Sequence, residues 1–319
     1  MNDTLIAIGE ALIDFIPNKS GCAFEEVSGF YPMLGGAPTN VCGAFAKLGG
    51  KARLITKLGR DPFGEKIVHE LAACGVDTSA VSFTERANTA LAFVSISESG
   101  ERTFAFYRNP SSDMLMNEDE VHEEYFEDAY VLHFCSVSLG NFPMRGAHER
   151  AIEMARERGV MISFDANLRF PLWRDENELR ETVLAFCPRA HILKFSEDEL
   201  AFVAQERDME SAAKMLLGGE SRLLVCTRGE QGAVAFTEKF TVESAGVRVH
   251  ARDTTGAGDG FVGAFLWKLK ENGVRAENIA EIDENTLKSC LDFANKFGAV
   301  SVTGTGAISS YHAWEESEF

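Results

Sequence analysis

The sequence predicts an α/β protein with a mostly parallel central sheet, helices on both faces of that sheet, and a small β-rich lid. Three observations carry this expectation. Short apolar, β-branched runs alternate with longer amphipathic stretches along most of the chain, the pattern of repeated strand-helix units. The runs are nearly continuous in apolar residues, as strands buried on both faces require. Two regions break the rhythm because they carry no helical pattern, and these supply the lid.

Candidate core strands cover residues 5–9, 53–58, 130–135, 160–164, 191–195 and 223–226. Helical patterns cover 40–48, 63–73, 144–158, 179–186, 260–270 and 287–300. Residues 16–33 are helix-poor and rich in Gly, Pro and aromatic residues. Residues 89–98 and 102–108 are strand-like and flank a Ser-Gly turn, which is a hairpin signal. A lid built from about 15–33 and 88–111 is therefore expected on a single domain spanning 1–319. The same segments also read as plain edge hairpins that do not move.

With 319 residues, 45% of them hydrophobic and 25% charged, the chain has the composition of a globular enzyme with a large core. Disordered and fibrous classes are excluded. The formal charge is −18, from 31 basic and 49 acidic residues, and no basic stripe interrupts the scattered acids. Nucleic acid and anionic membrane are therefore not expected partners. An anionic substrate has to be held by a local site against the overall field. Cysteines at 22, 42, 74, 135, 187, 226 and 290 form no CxxC pair, and they read as reduced core residues of a cytoplasmic protein. Asp3, Glu10 and Asp14 interrupt the apolar N-terminus, so no signal peptide is expected. Residues 27–46 are uncharged, but their four glycines and two prolines do not suit a membrane span.

The strongest chemical signal is Asp253-Thr-Thr-Gly-Ala-Gly-Asp259, in which Gly256, Ala257 and Gly258 lead into an apolar-periodic helix. Small residues there let backbone N–H groups turn toward one point, and the helix N-terminus adds partial positive charge. Such a nest suits negative charge on a transferring phosphoryl group, and Asp259 beside it can take a hydroxyl proton. Taken locally, Asp259 reads equally well as a helix cap after a glycine turn. No Walker A loop is present, and no GxGxxG fingerprint follows the first strand. A second signal is Gly35-Gly36-Ala-Pro-Thr-Asn40, where paired glycines admit a ligand to the backbone and Asn40 can hold a hydroxyl. Standing alone, it would be read as a turn before a core helix.

Together these segments resemble the two signature regions of the ribokinase-like (PfkB) family of sugar kinases, over about 35–61 and over 253–265. Residues 89–94, 102–115 and 165–173 further look like fructokinase segments, and the resemblance runs through the whole chain. It implies a three-layer α/β/α sandwich of ribokinase type and ATP-dependent phosphorylation of fructose at its 6-hydroxyl. Another sugar or sugar acid, such as ribose or 2-keto-3-deoxygluconate, is the alternative substrate. A non-catalytic sugar-binding protein is the alternative class.

Carried over by position, the resemblance makes Asp259 the catalytic base and Gly256, Ala257 and Gly258 the anion hole. It makes Asp14, Gly35, Gly36, Asn40, Arg108 and Arg169 substrate contacts, and it places Thr227, Gly229, Gly232 and Asn295 on the nucleotide. Glu199 is implied to act on Mg²⁺ through water, although Ser196 stands where many relatives carry Asn. Asp253, Thr255, Ser301, Gly304, Gly306 and Ser310 are the candidate K⁺ site, which reads equally as a glycine-rich turn closed by Asp253. A homodimer formed through the lid is a further expectation of the resemblance.

Overall fold

The structure is a computed structural model that describes residues 2–19, 21–96, 102–205 and 208–312. The chain runs β1 (Thr4–Ile8), β2 (Leu12–Pro17), β3 (Phe30–Gly35), α1 (Ala37–Lys47), β4 (Lys51–Gly59), α2 (Pro62–Ala73), β5 (Val76–Asp77) and β6 (Val81–Thr84). It continues through β7 (Ala90–Ile96), β8 (Arg102–Tyr107), β9 (Ala129–Cys135), α3 (Met144–Glu157), β10 (Met161–Asp165), α4 (Glu176–Phe186) and β11 (Ile192–Ser196). The last third holds α5 (Glu197–Ala204), α6 (Met209–Leu216), β12 (Leu223–Thr227), β13 (Gly232–Phe236), β14 (Thr241–Ala245), α7 (Ala257–Glu271) and α8 (Glu284–Ser301).

Side chains of a strand alternate between the two faces of its sheet, and in β1 both faces are buried. Leu5 and Ala7 join a core with residues of α1, α2, α7 and α8, among them Val41, Ile67, Leu266 and Leu291. Ile6 and Ile8 join a second core with α3 to α6, including Ile152, Val183, Leu200 and Leu216. The protein is therefore a three-layer α/β/α sandwich, as the continuous apolar runs predict. The large sheet has the order β14-β13-β12-β11-β10-β9-β1-β4-β5, with β6 also paired to β4. It is parallel except where β13 and β14 add antiparallel strands at one edge.

The side on which successive strands are added reverses at β1. The strand that follows β1 in this sheet, β4, lies on one side of it, and β9 and its successors build outward on the other. In open α/β sheets the crevice for ligands forms outside the carboxyl ends of the strands at such a reversal. The residues discussed below lie at that end of the molecule.

A separate four-stranded sheet, ordered β3-β2-β7-β8, stands over this edge. One of its faces carries Leu12, Ala90 and Ala92, with Phe104 and Phe106 packed on them. The opposite face gathers Phe15, Phe30, Phe93 and Tyr107 into a ring cluster, with Phe15 stacked on Phe93 at 4.7 Å between centroids. The small sheet starts at Leu12, ahead of the expected 15, because Leu12 and Asp14 share the face turned to the main body. The turn expected between β7 and β8 lies outside the described residues.

Three differences from expectation have local causes. Helix α1 starts at Ala37 rather than at 40, because Pro38 fits a first helical turn, where no N–H is needed. Helix α7 starts at Ala257, so Ala257 and Gly258 belong to its first turn instead of preceding it. Short elements such as α5, α6, β13 and β14 stand where no element was expected. All seven cysteines are free, and among the described residues no helix is long and apolar enough to cross a membrane.

Candidate active site

Two helix N-termini meet here because α1 and α7 touch without side chains between them. A β-carbon on Gly263 of α7 would lie 2.6 Å from the Ala44 β-carbon and 2.8 Å from the Val41 carbonyl oxygen. This contact brings Asn40 of α1 to Asp259 of α7, and Asn40 Nδ2 donates to Asp259 Oδ2 at 2.8 Å. Asn40 is buried, and its Oδ1 has no hydrogen-bond partner. An unmet buried acceptor costs about 1–3 kcal/mol unless a ligand donates to it.

The start of each helix depends on a glycine. Gly36 sits at φ 104° before α1, and a β-carbon there would lie 2.4 Å from the Glu10 carbonyl oxygen. Gly256 sits at φ 73° before α7, wedged against Ala307 and the Tyr311 hydroxyl, which donates to the Gly256 carbonyl at 2.7 Å. No side chain caps α7. The Ala257 amide is spent on the Thr254 carbonyl, while the Gly258 and Asp259 amides and the positive end of the dipole are left for an outside anion. Asp259, on the first turn, does not cap the helix and instead faces Asn40 and Asn167, whose Nδ2 lies 3.4 Å from Oδ1. Asn167 holds a left-handed backbone at φ 38°, and such strain collects where a side chain must be aimed.

Two concavities flank this helix start. Asp14, Gly36, Asn40, Arg169, Thr255 and Asp259 line the first, which Leu12, Phe104 and Phe106 of the small sheet roof. Gly35 lies beside it against the Asp14 carboxylate. The second is a groove with Thr227, Gly229, Gly232 and Asn295 on its rim and Val247, Val249, Phe261 and Val302 among its walls. Asn295 spends its amide on Ser244. Thr254 lines both concavities, Gly256 and Asp259 line the first, and Ala257 and Gly258 line the second. The first turn of α7 is thus the wall between them.

Arg108, like Gly35, does not line the first concavity. Its guanidinium is buried in an ion pair with Asp113. The carboxylate that joins the lining instead is Glu10, directly after β1. It accepts from the Ser138 hydroxyl at 2.8 Å and from the Ala37 amide at 3.2 Å, which ties the start of α1 to the end of the sheet.

Burial raises the Asp259 pKa above the ordinary carboxylate value, and Glu199 adds to the rise. The Asn40 hydrogen bond, Arg169 and Lys194 pull it down. Glu199 moves the other way. Burial opposes its ionisation, but Lys194, Arg169 and the amides of Ser196 and Leu168 hold its pKa below the ordinary value. It forms a capping box with Ser196 at the start of α5. Its second oxygen accepts from the Leu168 amide at 2.8 Å and fixes the loop that carries Arg169.

The expected K⁺ loops also come together. Asp253 accepts from the Thr255 amide at 2.8 Å and the Gly306 amide at 2.9 Å, so one carboxylate spans both loops. The Ser301 and Ser310 hydroxyls donate to the Gly298 and Ala307 carbonyls, and Gly304 bonds back to Ser301.

Sequence reasoning missed Glu10, Asn167, Lys194 and Tyr311. Glu10 carried a usable signal as a carboxylate directly after a core strand, and Lys194 as a charge inside an apolar run. Tyr311 carried none.

The model of the pfkB family carbohydrate kinases matches residues 2–314. A probable fructokinase-3 of Arabidopsis thaliana is 43% identical over 305 residues, covering 95% of this chain and 87% of that protein. The structure of a fructokinase from Xylella fastidiosa with bound ATP superposes with a TM-score of 0.89 at 31% identity, over 98% of this chain and 96% of that one. A double-mutant fructokinase from Vibrio cholerae, in a form with fructose, ADP and potassium ion bound, gives 0.86 at 31% identity over 97% and 95%.

The Asn40–Asp259 bond predicts a titration. Because that bond favours the charged carboxylate, Asn40→Ala moves the Asp259 pKa further up. Carboxyl ¹³C NMR titration, with the signal assigned by its loss in Asp259→Asn, measures this directly. An unchanged or lowered midpoint contradicts the assignment of that bond.

Proposed function

This chain belongs to the pfkB family of carbohydrate kinases, and we propose that it transfers the γ-phosphate of ATP to the 6-hydroxyl of fructose. The observation that carries this reading is the single helical turn, 256–259, standing between a polar concavity and an apolar-walled groove with Asp259 on the polar side. Transfer of a phosphoryl group from a nucleotide to a small polyol suits that arrangement. The groove takes ATP, with the base among Val247, Val249 and Val302 and Thr227, Gly229, Gly232 and Asn295 at its rim. The uncapped start of α7 receives the phosphates.

Asp14 and Asn40 Oδ1 accept hydroxyls of the sugar, and the glycine pair 35–36 lets it approach the backbone. Arg169 donates to sugar or phosphate. Glu10, Asp14 and Asp259 outnumber Arg169 in the lining, which favours a neutral sugar over one already phosphorylated. Arg108 is left out of the contact set because it is committed to Asp113.

Asp259 takes the proton as the sugar oxygen bonds to the γ-phosphorus and the bond to the ADP oxygen breaks. Most of the rate comes from alignment and charge stabilisation, as phosphoryl transfer allows. The small sheet, with Phe104 and Phe106 facing in, acts as a lid that excludes water as a competing acceptor.

Mg²⁺ fits this donor set. Glu199 is kept ionised and retains lone pairs beyond its two amide bonds, and one carboxylate suits a metal that otherwise leans on waters and phosphates. When bound, the metal neutralises phosphate charge. The K⁺ assignment is supported by Asp253 spanning two loops rich in carbonyl oxygens. That ion would hold 253–258 in shape. The free cysteines suit a reducing cytoplasm.

A panel of sugars assayed by ADP release tests the substrate. Fructose gives the highest kcat/KM, and phosphorus NMR finds the 6-phosphate. Ribose or 2-keto-3-deoxygluconate surpassing fructose overturns the sugar, and no turnover with any sugar leaves a binding protein. In the same assay, exchanging K⁺ for tetramethylammonium at fixed ionic strength lowers kcat, and an unchanged kcat removes the ion site. The lid's outer face, with Tyr107 64% and Phe24 46% exposed, supports a homodimer. Sedimentation that stays monomeric at all concentrations contradicts it.

A further inference from the structure

Lys194 is a charge in the middle of a buried strand. Its side chain is only 10% exposed, and Nζ pairs with Asp165 Oδ2 at 3.1 Å. Ammonium carries three donors, and Asp165 is its one ion-pair partner among the described residues. The side chain reaches from β11 to the start of α7, where a β-carbon on Gly258 would lie 3.5 Å from Nζ. Gly258 also lines the nucleotide-side groove. The ammonium therefore sits against the same helical turn that separates the two concavities.

Its charge is secure there. Burial works against it, but Asp165, Glu199 and Asp259 together outweigh that cost and raise its pKa. A buried cation placed only to neutralise Asp165 would not need to reach the backbone of Gly258. A cation placed to meet an anion at that turn would.

We propose that Lys194 contacts the phosphoryl group as it passes from ATP to the sugar, and so is a catalytic residue of this enzyme. The inference rests on the kinase reading above and adds a residue to it. Lys194 gives up no proton in the step. The sugar proton goes to Asp259, the bond from oxygen to the γ-phosphorus forms, the bond to ADP breaks, and the ammonium offsets charge on the phosphoryl oxygens throughout. Asp165 acts through Lys194 as a positioning residue. It fixes the side chain from below, leaving the remaining N–H groups for the ligand.

The test separates this from a purely structural pair. Lys194→Met lowers kcat by roughly 10²–10³-fold, the range found when one preorganised charge donor is removed, while fructose binding by calorimetry stays within about threefold. The double variant Lys194→Met/Asp165→Asn contains a neutral pair that folds without an unpaired charge, and it stays equally slow. If Lys194 serves only Asp165, the double variant regains wild-type kcat, and that result overturns the inference. Should the single variant unfold, the double variant alone decides. Wild-type fructose-dependent ADP release is the control. Its absence overturns the kinase reading and this inference together, whereas normal wild-type turnover with a fast double variant removes only Lys194.

Discussion

The contact between α1 and α7 is the constraint on which the site depends. Gly263 lets the two helices approach until backbone meets backbone, and any side chain there would separate them. Because both helices start at glycines of positive φ, the close approach aligns two polar helix ends. Asn40 and Asp259 then fall within hydrogen-bond distance although 219 positions separate them in sequence. The apolar core beneath, with Val41, Phe45, Leu266 and Leu291, holds that alignment at the edge of the sheet.

Positive charge at this edge is gathered at one turn, among acids that outnumber it. The chain carries a net −18, yet the turn 256–259 combines an uncapped helix start with Lys194 and Arg169 nearby. Three carboxylates share the space and are held in different states. Asp259 is pushed toward protonation by burial, which makes it a stronger base once ionised. Glu199 is kept charged by Lys194 and two amides, whereas burial pushes Asp165 up to about 7 even with Lys194 on one oxygen and the Asn167 amide on the other. Environments that separate the pKa values of neighbouring acids are how one site assigns them different tasks.

The sheet core was legible in the sequence because a strand buried on both faces reads as a continuous apolar run. The six expected strands each match an observed one to within one or two residues at either end. Helices α5 and α6 escaped because each is short, β13 because its Gly-Ala-Val-Ala-Phe run is mostly small residues, and β14 because it alternates buried and exposed residues as an edge strand does. The helix starts were legible where small residues and a polar side chain are adjacent, as at 256–259 and 35–40. Asn167 was not, and Glu10 and Lys194 showed only as charges in or after apolar runs, because the three converge only through the order β11-β10-β9-β1, and strand order leaves no mark on local sequence. The pairing of Arg108 was not legible for the same kind of reason. Asp113, five residues on, folds back to claim it, and nothing in the local pattern distinguishes that pairing from a ligand contact.

The central claim is that Asp259 is the base at the wall between sugar and nucleotide, not a helix cap. The most direct measurement is the turnover of Asp259→Asn set beside its binding of fructose and ATP. The account predicts a kcat lowered by roughly 10²–10⁴-fold with both ligands still bound at near wild-type affinity. Wild-type kcat in that variant would contradict it.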